Sequence, residues 1–270
     1  MKIAIIGYGY VGRAYHQIFT EALIYDPFVD DVETVSQKEV NACDLVLISV
    51  PTPTSDDGVS CDTKIVEETL AWLTVKNVLI KSTVRPMTTE KLQEMNPDMN
   101  IVFSPEFVGE GGYFVQYWNY PHATNPMYHD FQILGGPKEA TARFAEMFIR
   151  HVGPHITVYQ TDSRTAEIIK YTENMFIATK VTFANEMHEV CKAFDREWVD
   201  VREGWLLDTR VGRMFTGVFP DKRGYEGKCL PKDTKALIAA AEEQGYIPEL
   251  LKEVTKSNNR IRKENGFDAV

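Results

Sequence analysis

Short apolar runs alternate with helical patterns through the first half of the chain. The segments "KIAIIG" (2–7), "ALIYD" (22–26), "DLVLISV" (44–50), "NVLIKST" (77–83), "NIVFS" (100–104) and "FQILGG" (131–136) predict strands, with "HITVYQ" (155–160) as a last one. Helical spacing predicts helices near 11–20, 62–75, 88–95 and 137–151. The strand segments are continuously apolar rather than alternating, which implies burial on both faces. A parallel sheet covered by helices has that requirement, and right-handed crossovers then wind it doubly.

After residue 160 the rhythm changes. Residues 162–194 contain no Gly or Pro over 33 positions and predict one long helix, capped by Asp162 or Ser163. A helix of that length needs a surface to pack along, often a partner chain. Further helices are expected near 196–208, 232–244 and 247–265. The expected organisation is therefore an α/β domain over 1–160 and an all-helical domain over 161–270.

Composition narrows the class. With 270 residues, 44% hydrophobic and 25% charged, the chain can build a large core without cross-links. The net charge of −10 comes without a basic stripe, which argues against a nucleic-acid partner and leaves an anionic substrate dependent on local Lys and Arg. Cys43, Cys61, Cys191 and Cys229 show no metal-binding spacing, so no metal is expected, and their number fits a reducing compartment. No apolar run reaches the ~18 residues of a membrane span, and the first strand starts at the N-terminus. The expectation is a cytoplasmic protein without a membrane partner.

The segment "IAIIGYGYVG" joins the first strand to a helix. Gly7 allows a tight turn, Gly9 lets backbone approach a pyrophosphate, and Gly12 lets the helix pack close to the strand. Tyr10 and Val11 lie in the same turn. A second strand ending in Asp26 completes a Rossmann-like pattern, and its carboxylate can accept ribose hydroxyls while repelling a 2′-phosphate, which favours NAD over NADP. The alternative is an ordinary glycine turn. "SVPTP" and "KSTVRP" end the third and fourth strands, where Thr52, Thr54 and Thr83 either offer hydroxyls to a ligand or cap the next helix locally.

The remaining candidates carry chemistry. Glu106 and Glu110 in "SPEFVGEGG" are either a base and a water-activator or solvated loop carboxylates. Lys170 and Asn174, four apart on the long helix, share a face where they can hold an oxyanion; the alternative is a snorkelling lysine. Cys229 precedes Pro231, which suits the first turn of a helix. The helix N-terminus, with Lys232 or Lys170, would favour a thiolate, and Asp233 follows four residues on. The plainer alternative is a buried cysteine before an ordinary helix.

"GYGYVG", "VPTP", "KSTV", "SPEF", "EIIKYTEN", "FANE", "DTRVG" and "CLPKDT" occur in that order along nearly the whole chain. Together they resemble the nucleotide-sugar 6-dehydrogenases of the UDP-glucose/GDP-mannose type, most closely the UDP-glucose 6-dehydrogenases. The resemblance implies an oxidation of a C6 alcohol to a carboxylate with two NAD per turnover. It implies that Cys229 forms a thiohemiacetal and then a thioester, and that Lys170 and Asn174 stabilise oxyanions. Asp233 and Glu106 would handle protons and water, with Thr83 and Glu110 bordering the nicotinamide or the water. Arg210 would reach a sugar nucleotide of a neighbouring subunit, and the long helix would form a homodimer.

Three features depart from the family pattern: Gly109 stands where the family has an arginine, "RGYEGKC" replaces its glycine-rich segment, and the chain stops at Val270, ahead of the family's usual C-terminal domain. Two further readings therefore stand beside the first. One is a non-catalytic or split NAD-binding module completed by another chain. The other is a β-hydroxyacid dehydrogenase, which makes one hydride transfer and needs no cysteine.

Overall fold

A computed structural model describes residues 1–56, 58–108, 126 and 129–270. The chain forms two compact units, Met1–Asp56 with Cys61–Lys170, and Asp57–Ser60 with Tyr171–Val270. The sequence expectation put the division near residue 160; the observed border runs through the long helix, after Lys170.

The first unit is a seven-stranded sheet flanked by helices. Its strands are β1 (Ile3–Ile6), β2 (Leu23–Tyr25), β3 (Leu45–Ile48), β4 (Asn77–Ile80), β5 (Asn100–Phe103), β6 (Phe131–Gly135) and β7 (Thr157–Thr161), in the order β2-β1-β3-β4-β5-β6-β7. The helices are α1 (Tyr10–His16), α2 (Gln37–Val40), α3 (Lys64–Trp72), α4 (Thr88–Met95) and α5 (Lys138–Val152). β1 and β3 are neighbours although β2 lies between them in sequence. That reversal of winding opens the ligand crevice of a Rossmann-like sheet.

The apolar strands divide their side chains between two cores, as a period of two requires. Ile3, Ile5, Leu45, Leu47, Leu79 and Val102 face α1 and α5. Ala4, Ile6, Val46, Ile48, Val78 and Ile80 face α3 and α4. On the first face Phe148 packs edge-on to Tyr15 at 6.3 Å and against Phe19 at 5.7 Å. A fully buried aromatic of this kind contributes about 1.5–3 kcal/mol.

The sheet is mostly parallel. β6 meets β5 antiparallel, at Phe103 opposite Gly135, and β7 runs parallel to β6. Apolar content signals burial but not strand direction, so the reversal has no counterpart in the hydrophobic pattern. α2 is a further addition, set by a capping box between Ser36 and Glu39.

α6 (Ser163–Ala193) is the long helix, and Asp162 caps it by accepting from the Thr165 amide at 2.8 Å and its hydroxyl at 2.7 Å. In the second unit the rest of α6 is joined by α7 (Trp198–Trp205), α8 (Leu230–Glu243) and α9 (Glu249–Glu264). Ala178 of α6, Tyr225 and Val254 of α9 form one small core there, and Ala184, Cys191 and Trp198 another. Among the described residues no helix is long and apolar enough to cross a membrane.

Candidate functional site

The glycine turn has the geometry its residue types suggest. Gly7 takes φ +85°, and a Cβ there would meet the Ser49 carbonyl oxygen at 2.7 Å. A Cβ on Gly12 would lie 2.1 Å from the Gly7 oxygen, so only glycine lets α1 pack this closely on β1. Gly9 caps α1, and a Cβ there would meet nothing within 4 Å. The backbone at the helix N-terminus is thus open to an anion. Asp26 stands at the end of β2, accepting from the amides of Tyr8 at 2.7 Å and Phe28 at 2.9 Å. These bonds fix its carboxylate beside the turn while leaving it lone pairs for ribose hydroxyls. The donor set fits NAD.

The other crevice candidates are spread around the strand ends. Tyr10 is exposed, and Val11 packs on the α1 side of the core. The Thr52 hydroxyl donates to the Thr83 carbonyl at 2.7 Å, which ties the loop after β3 to the loop after β4. Thr83 is half-buried. Thr54 is exposed and bridges to Cys61. The contact observed for Thr52 is thus a loop-to-loop bond, not a cap of the next helix. Glu110 lies outside the described residues, as does Gly109.

Glu106, just past β5, is buried at 6% exposure. One carboxylate oxygen accepts the amides of Phe107 and Val108 at 2.8 and 2.7 Å; the other lies 3.3 Å from the Lys81 ammonium. Lys170 of α6 donates to the Glu106 carbonyl at 2.6 Å and sits 5.4 Å from the centre of the Phe107 ring. The structure thus brings Lys170 and Glu106 together, and refutes the solvated alternative for Glu106. It also adds Lys81, which the sequence reading quoted but did not single out. Its signal was a lysine continuing four strand residues, "NVLIK", where another apolar residue would be expected.

In the second unit Cys229 is the N-cap residue of α8, and it is exposed. The other three cysteines are buried. One turn along α8, Asp233 is 2% exposed. It accepts from the Asn174 amide at 2.5 Å and pairs with the Lys232 ammonium at 2.7 Å. Asn174 itself is buried. So Asn174 and Asp233 are joined, and the alternative of a buried Cys229 does not hold. Arg210 is exposed and grips Asp208 with a forked pair at 2.5 and 3.0 Å; that pairing draws the Arg210 pKa up.

Such a set can do covalent carbonyl chemistry. Within the second unit an exposed sulfur at a helix N-terminus stands one turn from a buried carboxylate that can handle a proton, with a side-chain amide bonded to that carboxylate.

The chain is similar to known proteins over most of its length. Residues 29–124 match the NAD binding domain of the UDP-glucose/GDP-mannose dehydrogenase family, and residues 164–260 match its central domain. The UDP-glucose 6-dehydrogenase AglM of Haloferax volcanii is 30% identical, over 96% of this chain and 70% of its own. TuaD of Bacillus subtilis, also a UDP-glucose 6-dehydrogenase, is 29% identical over 97% of this chain and 63% of its own. A solved UDP-glucose dehydrogenase from Pyrobaculum islandicum superposes with a TM-score of 0.77 at 25% identity, covering 97% of this chain and 68% of that one.

Proposed function

The chain belongs to the UDP-glucose/GDP-mannose dehydrogenase family, and we propose that it oxidises the C6 alcohol of a nucleotide sugar, UDP-glucose first, to the carboxylate through Cys229. NAD is the family's cofactor; when bound, it accepts the hydride that leaves C6 in each of two oxidations. The residues fitted to hold it are Gly7, Gly9, Tyr10, Val11, Gly12 and Asp26, and Thr83 at the end of the fourth strand is proposed to border it.

In the first oxidation Asp233, or a water it holds, takes the O6 proton, and an aldehyde forms. The Cys229 sulfur then adds to the aldehyde carbon. A C–S bond forms, the carbonyl π pair moves onto oxygen, and Lys170 and Asn174 hold that charge. Loss of the second hydride leaves a thioester. Water, giving a proton to Glu106, attacks the thioester; the C–S bond breaks, the thiolate returns and the carboxylate departs. One water is consumed and two hydrides are delivered.

The observation that carries this reading is the exposed Cys229 at the N-cap of α8, one turn before a buried Asp233 fixed from both sides. A merely structural cysteine would not need that setting. The wider assembly reads as a homodimer along α6, where Phe176, Phe183 and Val190 stay exposed at intervals of seven residues. A stripe at that spacing suits a second helix. Arg210 is the residue proposed to reach a neighbouring subunit's substrate.

The test is stoichiometry. Purified chain, NAD and UDP-glucose should give two NADH per UDP-glucuronate. One NADH per sugar without acid would favour a single-hydride enzyme of the hydroxyacid type. NAD binding with no turnover on a panel of nucleotide sugars would favour a non-catalytic module completed by another chain.

A further inference from the structure

Lys81 is the most deeply buried cation of the chain's first unit among the described residues, at 1% exposure. Taking an ammonium out of water is costly unless it is paired and hydrogen-bonded. Every partner of Lys81 that the structure shows belongs to one small region. Its Nζ donates to the Pro105 carbonyl at 2.9 Å and the Ser104 hydroxyl at 3.1 Å, and lies 3.3 Å from a Glu106 carboxylate oxygen. It sits 4.3 Å from the centre of the Tyr15 ring. Three of these four contacts are to Ser104, Pro105 and Glu106, the start of the loop that carries the candidate base.

We propose that Lys81 is a positioning residue that holds the Glu106 carboxylate in one pose. This rests on the reading of Glu106 given above. An ion pair this deep adds little to stability compared with an apolar pair of the same shape. Its consequence is chemical: with the cation in place, a buried carboxylate can remain an acceptor for a proton from water.

The neighbouring groups bear on the same charge. Tyr15, on the helix opened by the glycine turn, donates to Gln132 at 3.3 Å, and burial followed by the Glu106 charge pushes its hydroxyl pKa well up. His129 is held below the ordinary imidazole value, mainly by burial, with Glu106 opposing and Lys81 reinforcing. Burial likewise pulls the Lys81 pKa down, while Glu106 draws it back up and Lys170 lowers it. Among the described residues, Tyr15 of α1, His129 and Lys170 of α6 are therefore the other titratable groups facing the pair. Tyr15 and Lys81 bring the α1 helix of the glycine turn and the Glu106 loop into one buried network.

The experiment measures the pH profile of UDP-glucuronate formation by the full chain at saturating UDP-glucose and NAD. In Lys81→Met the acid limb should move up by about 1–3 pH units, as expected when a buried carboxylate loses its counter-charge, with the KM for UDP-glucose little changed. Lys81→Arg should bring the limb most of the way back. Melting provides a readout without activity: Lys81→Met combined with Glu106→Gln should melt above Lys81→Met alone, because no uncompensated charge is left. If Lys81→Met lowers the rate by one factor at every pH, or the double variant melts below the single one, the inference is overturned. Should Lys81→Met not fold, Ser104→Ala decides: a smaller upward move supports it and an unmoved limb overturns it. Glu106→Gln separates the two levels. Wild-type rate and profile in that variant would remove the Glu106 reading and this inference with it, whereas an impaired Glu106→Gln beside an unmoved Lys81→Met would remove only the inference.

Discussion

Asn174 donates its side-chain amide to Asp233 at 2.5 Å, with both residues buried, and Lys232 closes on the other carboxylate oxygen at 2.7 Å. An acidic side chain so held cannot swing away to solvent. It is fixed one helical turn beyond Cys229, as the proposed acid–base role requires.

Asp233→Asn keeps the shape and removes the charge. Turnover should fall by roughly 10²–10⁴, the usual worth of a positioned acid or base, while the NAD affinity stays near wild type. Steady-state kinetics beside an NAD titration check this. Equal loss of both would mean that the substitution had damaged the fold instead.

The glycine turn separates folding from binding. A Cβ at Gly9 meets no protein atom within 4 Å, whereas a Cβ at Gly12 lies 2.1 Å from the Gly7 oxygen. Gly9→Ala should leave the melting temperature without NAD unchanged and weaken NAD binding. Gly12→Ala should lower both, through an overpacking cost of about 1–3 kcal/mol. Calorimetric titration and thermal melts distinguish them; an unaltered NAD affinity in Gly9→Ala would place the dinucleotide elsewhere.

Glu167 of α6 gives a pH dependence. Fully buried, it accepts from the amides of Met87 and Thr89 at 2.7 and 2.8 Å and from the Thr89 hydroxyl at 2.7 Å. Burial outweighs these bonds and raises its pKa from 4.5 to about 7. The folded state then binds a proton more readily than the unfolded chain. This group's contribution is complete below about pH 4.5 and is lost as pH rises to about 7, on the order of 3 kcal/mol. The stability difference between wild type and Glu167→Gln should shift against the wild type across that window. Parallel denaturation curves at all pH values would contradict it.

The exposed α6 stripe predicts assembly. Phe176, at 63% exposure, and Phe183, at 48%, lie seven residues apart on one face. Phe176→Glu with Phe183→Glu should shift a dimer to monomer in sedimentation, since two charges on such a seam cannot be buried unpaired. A wild-type chain that sediments as a monomer would rule out the helix-to-helix pairing.

Much of this molecule was legible in its sequence because its signals are local. Continuous apolar strands, the spacing of Gly7, Gly9 and Gly12, and 33 residues without Gly or Pro each report on a nearby backbone requirement. What was not legible depends on partners distant in the chain. The reversal at β6 is invisible to a pattern that records burial alone. Lys81 read as part of a strand end, since its meaning comes from Glu106, Ser104 and Tyr15. Glu167 stands in "EIIKYTEN" with no role assigned to it, because its partners on Met87 and Thr89 lie about 80 residues away. The Asn174–Asp233 bond spans 59 positions and joins two residues that the sequence picked out separately.

The most direct measurement is intact-mass spectrometry of the chain, quenched with acid during turnover of UDP-glucose and NAD. The account predicts a sugar-nucleotide acyl adduct on Cys229, absent from Cys229→Ala, which in turn forms no UDP-glucuronate. A Cys229→Ala variant that makes the acid at the wild-type rate, with no adduct on the wild type, would contradict it.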